Sequence, residues 1–242
     1  MELRPFTTDL YVPRYRPLSS GAWELRIGGP ALVPSYWGDA VLAMENAALL
    51  RGGETWMSIT PMELESQEIG IHLARGHVLI FGLGMGWSAA ASAMMPGVER
   101  VIVVERDPGV LALHRELRLF DQLPDAARAK VHVLEGDAFA YRPDTPVDLL
   151  MPDIWLPLVS DGRVEEVRRM QANVGARAIY FWGQELELAR HAKAAGRELD
   201  DAGIAATVAE FGLPLIGPDL PDYSAKVAAA SNRWIRGRWL RA

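Results

Sequence analysis

Apolar residues in this chain gather in short blocks that end abruptly in glycine or an acid. The plainest block is Val78-Leu79-Ile80-Phe81, which runs into Gly82, Gly84 and Gly86 and then into the small residues Ser88-Ala89-Ala90-Ala91-Ser92-Ala93. This pattern predicts a buried strand, a tight turn and a close-packed helix. Val101-Ile102-Val103-Val104 precedes Glu105, Val131-His132-Val133-Leu134 precedes Glu135-Gly136-Asp137-Ala138, and Val147 to Met151 precedes Pro152-Asp153. Arg177 to Trp182 reads as a fifth strand. Helical spacing separates these blocks. Val110, Leu113 or His114, Leu117 and Phe120 form a stripe after the Asp107-Pro108 cap signal, and Val164, Val167, Gln171 and Val174 form one after Ser160-Asp161-Gly162. Strand and helix in alternation predict an α/β fold with a mostly parallel sheet and helices on both faces.

The flanks read differently. Residues 1–20 carry Pro5, Pro13 and Pro17 without a period and predict an extended arm. Trp23 to Ile27 alternates as a strand and stops at Gly28-Gly29-Pro30, Ala31 to Val33 suggests another, and Thr55 to Ile59 a third. Val41–Glu45 and Ala47–Leu50 fit strand or helix. Thr60-Pro61-Met62-Glu63 is a helix start in which Thr60 caps, Pro61 takes the first helical position and Glu63 completes a capping box. That helix should run to Arg75 and stop at Gly76. Residues 1–59 thus form an arm with a small β-rich extension, and 60–242 the main domain. Toward the C-terminus, Leu188, Ala192, Ala195 and Leu199 mark one long helix ending at Gly203. A strand near Ala206–Phe211, a Pro/Gly-rich segment and a helix over Tyr223–Ile235 follow. Helix should dominate after Gly183.

Composition narrows the function classes. Half of the 242 residues are hydrophobic and the net charge is −6, which argues against a general nucleic-acid-binding surface. With no cysteine, disulfides, thiolate metal sites and cysteine nucleophiles are excluded. The five histidines lack metal spacing, so no metal is expected. Met1 to Pro17 lacks a signal-peptide core and no apolar run approaches membrane-spanning length. A soluble, cytoplasmic protein without membrane contact is expected, and a homodimer is an allowed assembly. Arg233, Arg236, Arg238 and Arg241 make the C-terminal end basic, which reads as a solvated helix face.

The chemistry is expected at the carboxyl ends of the strands, where open α/β sheets bind their ligands. Glycines let a ligand lie against the main chain, and the helix start offers N–H groups. An acid ending the second strand, here Glu105, suits ribose hydroxyls. The glycines sit at 82, 84 and 86, with Trp87 where the dinucleotide-binding fingerprint would place its third glycine. This spacing disfavours a NAD-dependent dehydrogenase. The pattern Gly82-Leu83-Gly84-Met85-Gly86, with aliphatic Ile80 before it, resembles the first motif of class I S-adenosylmethionine-dependent methyltransferases, and especially their spermidine synthase-like group. The resemblance covers roughly residues 55–182 and implies a Rossmann-like fold that binds S-adenosylmethionine.

Carried over by that resemblance, Gly82, Leu83, Gly84, Met85, Gly86, Glu105 and Arg106 contact the cofactor. Asp137 meets the adenine amino group, the Ala138 N–H meets the ring, and Asp153 is both cofactor contact and catalytic base or orienting group. Glu63 and Trp155 are substrate-side candidates; Glu63 and Glu68 have the spacing of acids that face the cleft in that group, although the plain cap is the preferred reading of Glu63. Spermidine synthases carry a second acid three residues after the one matching Asp153, where this chain has Leu156, and an acid where it has Met85. Both departures argue against a dicationic amine. The expectation is a methyltransferase-like enzyme acting on a small-molecule or unknown acceptor. An aminopropyltransferase and a non-catalytic nucleotide-binding partner protein are the alternatives.

Overall fold

The computed structural model describes residues 4–240. After the arm come β1 (Leu18–Ser20), β2 (Trp23–Gly28), β3 (Ala31–Val33), β4 (Val41–Ala43), β5 (Asn46–Arg51) and β6 (Glu54–Ile59). Strands β1, β2, β5 and β6 form an antiparallel sheet in that order, and β3 pairs with β4. The ambiguous stretches at 41–50 are strands. Ala47 and Leu49 are buried while Ala48 between them is less so, a period of two that only a strand turns into one inner face.

The main domain follows as α1 (Pro61–His72), β7 (Gly76–Phe81), α2 (Trp87–Met94), β8 (Val98–Glu105), α3 (Pro108–Leu117), α4 (Asp125–Arg128), β9 (Val131–Glu135), β10 (Leu149–Pro152), α5 (Arg163–Val174), β11 (Ala178–Ile179), α6 (Gln184–Ala194), α7 (Asp201–Phe211) and α8 (Tyr223–Trp234). Its five strands are all parallel, in the order β11-β10-β7-β8-β9. This is the Rossmann-like α/β architecture, with the first strand central and the order reversing between β7 and β10. Val78, Leu79, Ile80 and Phe81 are all buried. A parallel sheet covered on both faces needs such continuous apolar runs, which is why these strands were visible as blocks. No helix among the described residues is long and apolar enough to cross a membrane.

Several boundaries depart from the expectations. Helix α1 stops at His72 rather than Arg75, and Gly76 opens β7. The fifth strand shrinks to Ala178–Ile179, although Tyr180 and Trp182 still donate backbone N–H groups to Leu150 and Pro152. The single long helix is two helices. The Asp200 side chain accepts the Gly203 N–H at 2.8 Å and starts α7, so Gly203 lies inside a helix instead of ending one. The strand expected near 206–211 is the rest of α7, because Ile204, Thr207 and Phe211 bury one helical face. Helix α8 falls where expected. Of the basic terminal residues, Arg233 pairs with Asp39 and Arg238 donates to the Trp234 carbonyl; Arg241 lies outside the described residues.

The layer formed by α1, α6 and α8 holds a buried polar cluster. Glu185, at 0% exposure, accepts hydrogen bonds from Tyr180 (3.0 Å), Tyr223 (3.1 Å) and Tyr36 (3.3 Å). Burial pushes its carboxyl up to about 7 despite these donors. The folded chain therefore holds this proton more tightly than the unfolded chain does. The resulting stabilisation is complete below the ordinary carboxyl range, near 4.5, and is lost as pH rises through about 7. Chemical denaturation of wild type and Glu185→Gln should diverge accordingly: between about pH 5 and pH 8 the wild type should lose about 2.5 kcal/mol more than the variant. A stability difference that stays flat with pH would refute this account.

Candidate active site

The turn after β7 is built by close approach. Gly82 has φ 96°, and a Cβ there would lie 2.0 Å from the carbonyl oxygen of Asp153. The Asp153 N–H in turn donates to the Phe81 carbonyl at 2.8 Å, so the ends of β7 and β10 are tied where the turn departs. Gly84 has φ 49°, and its missing Cβ leaves room for Met57 Sδ, which would otherwise be 2.1 Å away. That sulfur, from β6, also accepts the Met85 N–H at 3.0 Å. Gly86 caps α2 above the imidazole of His114. The Gly84 carbonyl can only accept, so His114 Nε2 donates to it, at 2.9 Å. Burial pushes the His114 imidazole down to about 4, keeping it neutral beneath the turn.

A cleft of about 350 Å³ opens over the carboxyl ends of the parallel strands. Gly82, Gly84, Glu105, Arg106, Asp137, Ala138, Asp153, Trp155 and Glu63 all line it. Leu83, Met85 and Gly86, expected to touch the cofactor, are not on this wall. The side chains of Leu83 and Met85 are buried instead, because their backbone holds the turn from below: Leu83 N–H donates to Glu105 Oε2 at 2.9 Å, and the Met85 carbonyl accepts from Tyr15 at 3.2 Å. Glu105 Oε1 accepts the Asp107 N–H at 2.7 Å, so this carboxylate links the turn to the start of α3. Asp137 is exposed and holds its own loop through the Phe139 N–H.

The N-terminal sheet roofs the cleft with Trp23, Leu49, Arg51, Trp56 and Met57. The Arg51 guanidinium sits 5.2 Å and 5.8 Å from the Trp23 and Trp56 ring centres and 3.5 Å from Asp107. The sequence did not mark these residues, since their period announces only a strand. Their place over the turn follows from how the two sheets pack.

The deep end is acidic. The capping box does not form: Thr60 makes no side-chain cap and bonds Ser58 Oγ at 2.9 Å, while Glu63, only 4% exposed, lines the cleft. Glu68 points elsewhere, accepting from Trp37 Nε1 at 2.8 Å with Lys226 at 3.8 Å. Gln67, one turn after Glu63, donates Nε2 to Asp153 Oδ2 at 2.7 Å. The sequence reading missed it, although its helical register with Glu63 was available. Burial pushes Asp153 up to about 6, opposed by the Gln67 hydrogen bond and the Arg163 charge. Burial and then the Asp153 charge hold Glu63 well above the usual carboxyl range. Trp155 donates to Glu166 at 2.5 Å and stacks over Arg163 at 4.4 Å. Arg163 is buried, its N–H groups on the carbonyls of Pro157, Leu158 and Trp182, so it pins the loop after β10. A cleft with these groups can hold a cation, bond hydroxyl and amino groups, and accept a proton.

No family model matches the chain. Over 101 residues it is 38% identical to polyamine aminopropyltransferase 2 of Streptomyces coelicolor, a match that covers 38% of this chain and 18% of that protein. The chain thus spans under a fifth of this curated relative. Solved structures with local similarity include the glycopeptide N-methyltransferase MtfA with S-adenosyl-L-homocysteine (22% identity, 45% of this chain and 41% of that one, TM-score 0.34). The DhpI–SAM–HEP complex is another (20% identity, 46% and 48%, TM-score 0.34).

The approach of Gly82 to the Asp153 carbonyl is open to direct test. Gly82→Ala adds a methyl group against backbone at an unfavourable φ, and should cost roughly 3 kcal/mol or more in urea unfolding. Gly29→Ala, with nothing within 4 Å of the new Cβ, is the control and should stay near wild type. Equal stability of the two variants would show that the close approach is not a constraint.

Proposed function

We propose that the chain is an S-adenosylmethionine-dependent methyltransferase-like enzyme of the spermidine synthase-like group, acting on an acceptor the sequence does not name. The observation that carries the reading is convergence. Residues from the ends of four parallel strands, singled out by their motifs, border one cleft at the point where the strand order reverses.

The residues fit such a cofactor. Gly82 and Gly84 leave one wall free of side chains, Glu105 and Asp137 offer acceptors to hydroxyl and amino groups, and Ala138 brings backbone. Six acids border the cleft (Glu63, Glu105, Asp107, Asp137, Asp153, Glu166) against two arginines (Arg51, Arg106). That balance suits a cationic ligand better than a pyrophosphate. When bound, S-adenosylmethionine supplies an electrophilic methyl group on its sulfonium. The protein's share is then to align the acceptor, exclude water and take up a proton. Asp153, with a carboxyl raised to about 6, is placed for the last of these, and Trp155 and Trp182 wall the acceptor side.

Aminopropyl transfer is the second reading, supported by the 38% identity to a polyamine aminopropyltransferase over part of the chain. Against it, Leu156 is 42% exposed on the loop where a second acid belongs, and the Met85 side chain is buried in the core. A diamine acceptor would not find on this loop the second acid that spermidine synthases carry there, and an ammonium group buried without a partner costs several kcal/mol.

Two measurements separate these readings. S-adenosylmethionine and S-adenosylhomocysteine should each raise the melting temperature and NAD should not, because a ligand that binds only the native state stabilises it by mass action. Glu105→Ala should weaken adenosyl binding by roughly 1–3 kcal/mol in calorimetry. Binding of NAD in place of the adenosyl ligands would defeat the assignment. Spermidine formed from putrescine and decarboxylated S-adenosylmethionine would promote aminopropyl transfer.

A further inference from the structure

Glu63 and Asp153 reach the deep end of the cleft from different elements and meet at one amide. Glu63 and Gln67 lie one turn apart on α1, and Gln67 Nε2 donates to Asp153 Oδ2 at 2.7 Å. Asp153 cannot retreat, since its backbone is tied to Phe81 and packed on Gly82. The Gln67 amide is neutral. It orients the Asp153 carboxyl without compensating two negative charges. Two carboxyl groups brought together away from water cannot both ionise freely, and such a pair titrates as a unit.

The charges around the pair decide where its proton sits. On α5, Arg163 favours the ionised form of Asp153, and Glu166 is engaged by Trp155. From the ends of β8 and β5, Glu105 is held by backbone N–H groups, Arg106 lines the cleft, and Arg51 is paired with Asp107. Exposed Asp137 holds its own loop. Arg163 therefore helps Asp153, while Glu63 meets burial and the Asp153 charge. The pair as a unit therefore holds a proton more tightly than two separate exposed carboxyls would.

We propose, resting on the cofactor reading above, that the Glu63–Gln67–Asp153 unit senses the charge on the ligand's sulfur: it holds one proton in the ligand-free protein, releases it to solvent when a sulfonium binds, and keeps it when a neutral thioether binds. A sulfonium is a fixed cation and supplies the compensation that Gln67 does not. The unit thereby favours S-adenosylmethionine over S-adenosylhomocysteine and weakens the hold on the product once the methyl group has left.

Calorimetric titration of the full chain with each ligand, near neutral pH in buffers of different ionisation enthalpy, counts the protons exchanged. The two ligands share amino and carboxylate groups, so their difference isolates the sulfur. S-adenosylmethionine should release up to about one proton more than S-adenosylhomocysteine. In Glu63→Gln that difference should vanish, and the affinity ratio between the ligands should fall by about tenfold, the equivalent of one pH unit of proton affinity. Glu68→Gln, whose carboxyl faces Trp37 and Lys226, should keep both. Equal proton release by the two ligands in the wild type overturns the proposal and leaves the cofactor reading standing, whether or not the Glu63 variant folds. Absence of binding by either ligand overturns the cofactor reading and this proposal with it.

Discussion

The close packing of Gly82 against the carbonyl of Asp153 is the constraint on which the rest of the site depends. Strands β7 and β10 run side by side in parallel register, Phe81 beside Pro152, and the chain must leave both at the same height. One strand leaves through a turn with no side chain, and the other through an acid whose backbone fills the space that a side chain would need. The reversal of strand order makes a crevice in any such sheet. Here the Gly82–Asp153 contact sets its floor and fixes Asp153 where Gln67 can reach it.

The turn is also held from outside. Met57 from β6 fills the space at Gly84, Tyr15 of the arm bonds the Met85 carbonyl, and Trp87 donates to the Tyr11 carbonyl. The N-terminal unit is therefore part of the cleft's construction. The thioether of Met57 is a weak acceptor for the Met85 N–H and sits on an unbranched, adaptable side chain. The roof touches the turn through the softest group available to it.

Much of this was legible in the sequence because burial on both faces writes itself as uninterrupted apolar blocks. The five strands, the Asp107 cap and the helical C-terminus follow from local pattern. The failures have local causes too. Thr60-Pro61-Met62-Glu63 satisfies the pattern of a capping box, yet Pro61 already fixes the helix start and Glu63 is drawn to the cleft instead. The stripe from Leu188 to Leu199 reads as continuous although the helix breaks over residues 195–200, where Gly196 takes a left-handed conformation and the apolar spacing of Ala195 and Leu199 survives by coincidence. Gly82, Gly84, Glu105, Arg106, Asp137, Ala138, Asp153, Trp155 and Glu63 do border one cleft. Leu83, Met85 and Gly86 were grouped with them by motif alone. A motif does not say which residues face a ligand and which face the core. Gln67, Arg51 and the roofing tryptophans depend on tertiary packing that no local period encodes.

The buried ionisable groups divide by how many hydrogen-bond partners they have, and the division tracks location. Glu185 has three tyrosine hydroxyls. Glu187 has Arg190 at 2.9 Å and the Ser160 N–H at 3.1 Å. Arg163 has three backbone carbonyls. Glu185 and Glu187 sit among helices or loops outside the cleft lining, with partners suited to their chemistry, as a folded chain requires of groups it removes from water. Glu63 and Asp153 share one neutral amide between two acids. Packing alone gives no reason to bring a second carboxyl to the end of β10, since an apolar residue at position 63 would fill the space without the electrostatic cost. The deficit therefore has the character of a site rather than a scaffold. It lies within the stretch of wall that also holds Gly82, Trp155 and Trp182, where a ligand's own positive charge would complete what the fold leaves unpaired.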